Sequence, residues 1–165
     1  MTTELEIYGP IEIVCPTKFI DKNEKREFLE CLDAEGISMK QGCYIFALRA
    51  GKGYCPWYVG KSTKSFKTEC MEAPKLQHYN AVLSKGGWGT PVMFFAAPKG
   101  QKNKVPKNIC DEMEGFLIQS ALYENPELRN VQKAKVPEWG IDGVIRGGQG
   151  QPTKSEVGFR KMMGL

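Results

Sequence analysis

Apolar side chains run almost unbroken through Cys43-Tyr44-Ile45-Phe46-Ala47-Leu48, and again, after residues 49–56, through Trp57-Tyr58-Val59. Short apolar runs rich in aromatic and β-branched residues predict strands. The glycines and proline between them predict a chain reversal over 49–56, hence a hairpin. A third run, from Pro91 to Ala97, predicts a strand in the middle of a covered sheet. Near the start, Leu5-Glu6-Ile7-Tyr8 and Ile11-Glu12-Ile13-Val14 alternate, and Pro10 and Pro16 interrupt them, which predicts edge strands or an irregular arm.

Elsewhere the period lengthens. Asp21 with Glu24 three positions on reads as a capping box. Phe28, Leu29, Cys31 and Leu32 form the apolar stripe behind it, and Gly36 is the stop. A short helix is expected over 64–70. A second follows from Pro74, with Leu76, Tyr79, Val82 and Leu83 at helical spacing, up to Gly86-Gly87. Residues 108–123 predict a longer helix that stops before Asn125-Pro126. In the tail, 141–146 predicts a short strand, and Pro152, Thr153 and Glu156 open a last helix to about Met163. These elements predict an α/β fold, a small and mostly antiparallel sheet flanked by helices, in one domain over 1–165.

Composition narrows the function classes. At 41% hydrophobic and 25% charged, the chain is ordinary for a globular protein. No apolar run reaches about 18 residues, so no membrane span is expected. The start, Met1-Thr2-Thr3-Glu4-Leu5-Glu6, lacks a basic region followed by an apolar stretch, so a cytoplasmic protein is expected. The net charge of +4 permits a polyanionic partner without requiring one. Lysines gather in three groups: Lys61, Lys64, Lys67 and Lys75; Lys99, Lys102, Lys104 and Lys107; and Lys154 and Lys161 with Arg160. The six cysteines form no Cys-x-x-Cys pair and have one histidine, His78, beside them, so they read as small core residues and not as a zinc site. Gly147-Gly148-Gln149-Gly150 lacks a following Gly-Lys-Ser/Thr and reads as a tight connection rather than a phosphate loop.

Glu114 lies on the same helical arc as Cys110, Met113, Leu117, Ile118 and Ala121, whereas Asp111 and Glu112 fall outside it and can face solvent. A carboxylate on an apolar stripe is costly to bury without a partner. It either reaches water or a lysine at the stripe's edge, or holds a divalent metal. Asn130, just past Asn125-Pro126, is open to two readings of equal weight, a turn-stabilising residue or part of a site.

The hairpin with Gly42-Cys43-Tyr44 in one strand and Tyr58-Val59-Gly60-Lys61 in the next resembles the GIY-YIG nuclease superfamily. Glu114-Gly115-Phe116-Leu117-Ile118 and Asn130 resemble that family's glutamate helix and the asparagine that closes its core. The resemblance spans about 41–131, leaving 1–40 as an amino-terminal arm and helix and 132–165 as a carboxy-terminal strand and helix. It implies a metal-dependent endonuclease hydrolysing phosphodiester bonds in DNA or RNA. Glu114 would hold Mg²⁺ or Mn²⁺, Tyr44 would be the general base, and Lys61 would lower that tyrosine's pKa. Tyr58 would bond the phosphate or the water, Gly60 would let the nucleic-acid backbone come close, and Asn130 would brace the site. The family's helix arginine is not found: Thr68 or Glu69 stands in its place, and Ala73 where a histidine often follows. Lys64, Lys67 and Lys75 are the nearby cations left to contact phosphate, without the guanidinium's fork. The alternative is an inactive module of this fold that binds nucleic acid or a protein partner.

Overall fold

A computed structural model describes all residues except 1–2, 87, 136–137, 146 and 148–149. They form two compact units, one running to Ala134 and the other Lys135–Leu165.

In the first unit, alternation and bulk give four strands, β1 Leu5–Glu12, β2 Gly42–Ala50, β3 Gly53–Ser62 and β4 Thr90–Pro98. They pair in the order β1-β4-β2-β3, every neighbour antiparallel. β4 is internal, as its unbroken apolar run predicts. β1 is an edge, and its register slips between Tyr8 and Ile11, where Pro10 has no N–H to give. The hairpin is tighter than expected. Both strands extend into the 49–56 stretch and only Gly51-Lys52 turns, with Gly51 at φ 59°. Pro56 is accommodated because β3 is also an edge and its register shifts there: Tyr58 faces Phe46 and Pro56 faces Ala47, leaving Trp57 as the extra residue of a bulge.

Helices cover both faces. α1 Lys22–Ala34 begins at the Asp21–Glu24 capping box. It packs with α2 Phe66–Glu69 and α3 Ala73–Ser84 over a core that includes Phe28, Leu32, Tyr44, Phe46, Tyr79 and Phe95. On the opposite face α4 Lys107–Glu124 lays Ile118, Ala121 and Leu122 against Val59 and Ile45. All six cysteines are free. No helix among the described residues is long and apolar enough to cross a membrane.

In the second unit, α5 Lys154–Met163 starts at a capping box of Thr153 and Glu156. The strand expected over 141–146 is not formed over its described residues, 141–145. Ile141 and Ile145 make one isolated bridge around a turn in which Gly143 takes φ 66°, and two bonds close so tight a loop without a partner strand. Arg146, and Gly148-Gln149 of the glycine-rich connection, lie outside the described residues, as does Gly87.

Candidate functional site

The strand pleat divides the expected site. Tyr44 and Gly60 are directly paired across β2 and β3, and Phe46 faces Tyr58, so these residues project toward α2 and α3. Lys61, one residue on, projects toward α4.

On the α4 side, the Lys61 ammonium donates to Asp111 Oδ1 at 2.5 Å and to Glu114 Oε2 at 3.1 Å. Asp111 and Glu114 are three apart on one helix, which stacks them on one face. Lys133 adds a second ammonium, 2.8 Å from the same Glu114 oxygen, and also donates to the Asp111 carbonyl at 3.3 Å. Hydrogen bonding to Asp111 raises the pKa of Lys61 despite partial burial, and Lys61 in turn lowers that of Asp111. Both carboxylates are thus neutralised by side chains of the chain itself. Among the described residues no group of three or more His, Cys, Asp or Glu side chains gathers around one point. The position between Asp111 and Glu114 that a cation would take is filled by the Lys61 ammonium.

On the other side, Tyr44 is completely buried among Phe66, Phe95 and Tyr79; its hydroxyl makes no hydrogen bond of full geometry, though it lies close enough to Tyr79 to help raise that residue's pKa. Burial, reinforced by neighbouring Tyr58, Cys70 and Glu69, pushes its pKa far up. A general base needs access to water and an accessible phenolate, and Tyr44 has neither. The Lys61 ammonium, expected to lower the Tyr44 pKa, is paired with Asp111 and Glu114 on the α4 side. Gly60 also has a different reason from the one expected. A Cβ there would stand 2.5 Å from Cε2 of Tyr44 and closer still to Cζ and the hydroxyl, so the missing side chain makes room for the tyrosine ring. Tyr58 is half-buried, stacks on His78 at 5.2 Å and meets Tyr79 edge-on, and burial raises its pKa.

Asn130 works on the edge of β3. Its side chain accepts from the Val59 N–H at 2.9 Å and donates to the Val59 carbonyl at 2.7 Å, as a neighbouring strand would. Beside it Asn125 donates to the Pro56 carbonyl and the Arg129 N–H to that of Trp57.

The lysines expected at phosphate separate. Lys67 pairs with Asp33 of α1 and Lys75 with Glu72, one turn away. Glu69, in the place of the expected arginine, accepts from Ser62 Oγ and from the Lys64 N–H. Burial works against its charge, but those bonds outweigh it and hold the carboxyl below its usual pKa. It ties the end of β3 to α2. Lys64 itself is exposed with no ion pair among the described residues.

Two features escaped the sequence reading. Lys133 has no periodic relation to Glu114, so no spacing could reveal it; Asp111, expected to face solvent, instead pairs with Lys61 from its place at i−3 from Glu114. Lys40 is the second, a buried lysine whose ammonium donates to the Pro98, Gly100 and Lys102 carbonyls at 2.9, 2.6 and 2.7 Å. Next to it, the Gln41 N–H donates to the Asn103 carbonyl, and its side chain joins the Val105 N–H and the Thr63 carbonyl. The loop carrying Lys99, Lys102 and Lys104 is therefore fixed, and the loop bearing Lys64 is tied to the same residue.

The chain is a mixed α/β protein with a four-stranded antiparallel sheet between helices. No family model, no curated protein and no solved structure matches it.

Proposed function

We propose that this chain is a GIY-YIG-like module that binds nucleic acid without cutting it. The observation that carries this reading is the double ion pair on Glu114: the carboxylate a nuclease would give to metal is held by Lys61 and Lys133. The sealed hydroxyl of Tyr44 supports it from the other face of the sheet. Binding is supported by Lys64, Lys99, Lys102, Lys104 and Lys107, which are all exposed and make no ion pair among the described residues. Lysines on loops anchored at Lys40 and Gln41 lose less freedom on meeting phosphates than lysines on a free loop.

Labelled single- and double-stranded DNA and RNA, titrated at two salt concentrations and incubated with Mg²⁺ or Mn²⁺, test the reading. Expected are salt-sensitive binding, no cleavage, and a salt slope reduced by roughly 1 for each of Lys102→Gln and Lys104→Gln. Metal-dependent cutting that disappears in Glu114→Ala would instead establish the nuclease. Absence of binding at low salt would remove the nucleic-acid partner.

A further inference from the structure

We infer that the bulge in β3 builds a pocket for a single nucleotide, with the base beside Trp57 and the phosphate on Arg129 and Lys85. The inference rests on the nucleic-acid reading above and assigns it a second contact, separate from the Lys61–Glu114 cluster.

Its basis is geometric. At Trp57 the register of β3 slips, and both Trp57 and Tyr58 turn toward the larger core, where pleating alone would send one of them to each face. Trp57 stops short of full burial and lines a cavity of about 270 Å³. The remaining walls are Val82 in the last turn of α3, Lys85 just past its end, and the segment after α4, with Glu127 and Arg129. The carbonyl of Trp57, left without a strand partner by the bulge, accepts the Arg129 N–H at 2.8 Å and fixes that residue beside the indole.

The chemistry of the walls is mixed in an informative way. Arg129 Nε is buried and has no hydrogen-bond partner, and neither Arg129 nor Lys85 has an ion pair among the described residues. Arg129 lines the concave site, and the planar fork of a guanidinium suits the oxygens of a phosphate. Glu127 and the terminal carbonyls of α3 are acceptors, suited to the N–H groups on a base edge. Trp57 offers a flat apolar surface on which a base can stack. A ligand with an aromatic ring, ring donors and an anionic group satisfies all three walls. The cavity lies just below the roughly 300–1,000 Å³ of drug-sized sites, which limits what it encloses to one small unit and leaves no room for a longer stretch.

His78 supplies an independent reporter. It is the chain's only histidine, it stacks on Tyr58, and its pKa is lowered first by burial and then by the charge of Arg129. A phosphate on Arg129 offsets that charge.

The test is titration of the intact protein with AMP, adenosine and inorganic phosphate, followed by His78 imidazole resonances and tryptophan fluorescence. AMP should bind saturably below about 10 mM and at least about tenfold more tightly than either fragment. It should raise the His78 titration midpoint, and Arg129→Gln and Lys85→Gln should each weaken it about tenfold or more. Lys85 is exposed, so its variant keeps the test valid should Arg129→Gln fold poorly. Trp57→Phe should retain phosphate contact and lose the preference for AMP over phosphate. The inference is overturned if AMP leaves His78 and the tryptophans unmoved, or if both charge variants bind it as wild type does. Oligonucleotide binding that persists unchanged in those variants would remove the pocket alone. AMP binding without any oligonucleotide binding would keep the pocket and remove the nucleic-acid reading.

Discussion

Gly60→Ala isolates the contact that joins the two halves of the hairpin. Gly60 has an ordinary strand backbone and is not among the glycines with positive φ, so alanine there incurs no dihedral strain. What it meets is the Tyr44 ring, with Cε2 at 2.5 Å and two other atoms nearer. The ring has nowhere to retreat, because Phe66 stands edge-on at 6.4 Å and Phe95 lies tilted at 6.5 Å. Overpacking a rigid core costs typically 1–3 kcal/mol, and a clash with three atoms of a wedged ring belongs at the top of that range, about 3 kcal/mol. For a chain of this length that lowers Tm by roughly 6–12 °C. Urea unfolding should show a lower midpoint with an unchanged m-value. The companion variant Tyr44→Leu creates space while losing the ring, so the double variant should be more stable than the summed single effects by at least about 1 kcal/mol. A Gly60→Ala protein within about 0.5 kcal/mol of wild type, or strict additivity in the pair, would refute the packing account.

Three other outcomes follow from the same contacts. Tyr44→Phe removes a buried hydroxyl that makes no hydrogen bond of full geometry, so it should leave stability within about 1 kcal/mol of wild type in urea melts; a larger loss would mean that the hydroxyl is bonded, with Tyr79 the neighbour placed to bond it. Lys40→Met strips the donor from three carbonyls and should cost on the order of 3 kcal/mol, with amide exchange accelerated across 98–105 and not across α1; uniform acceleration would contradict a local clasp. His78 should titrate below its usual 6.5, since burial and Arg129 disfavour the imidazolium. Its contribution to stability is then complete above about pH 6.5 and lost as pH falls through the folded value. A midpoint at or above 6.5, read from the single imidazole by NMR, would contradict the assignment.

Regular patterning made most of the fold legible. The Asp21 and Thr153 boxes start α1 and α5 where the side chains require, and the run from Pro91 to Ala97 is internal because both its faces are apolar. The tail strand failed because a few apolar residues on either side of Asp142-Gly143 also suit a closed turn, and no local signal says whether a partner strand exists. The site was less legible. Tyr44, Tyr58, Gly60, Lys61 and Glu114 do lie near one another in the hairpin and α4, yet pleating sends Lys61 away from the tyrosines. Spacing reports which residues share a strand or helix. Which carboxylate a flexible lysine reaches is a long-range matter, and Lys133 and Lys40 act over such distances.

The asparagines that close β3 bear on self-association. A four-stranded sheet has two open sides, and exposed backbone donors and acceptors on either one invite a second copy to add a strand. β1 defends its side with a slipped register and Pro10; β3 relies on Asn125, Arg129 and Asn130 to occupy its carbonyls and the Val59 N–H. That second defence is a short stretch of chain held by a handful of bonds. Its loss would expose an apolar strand, making the 125–130 segment the place where a modest loss of stability turns first into aggregation.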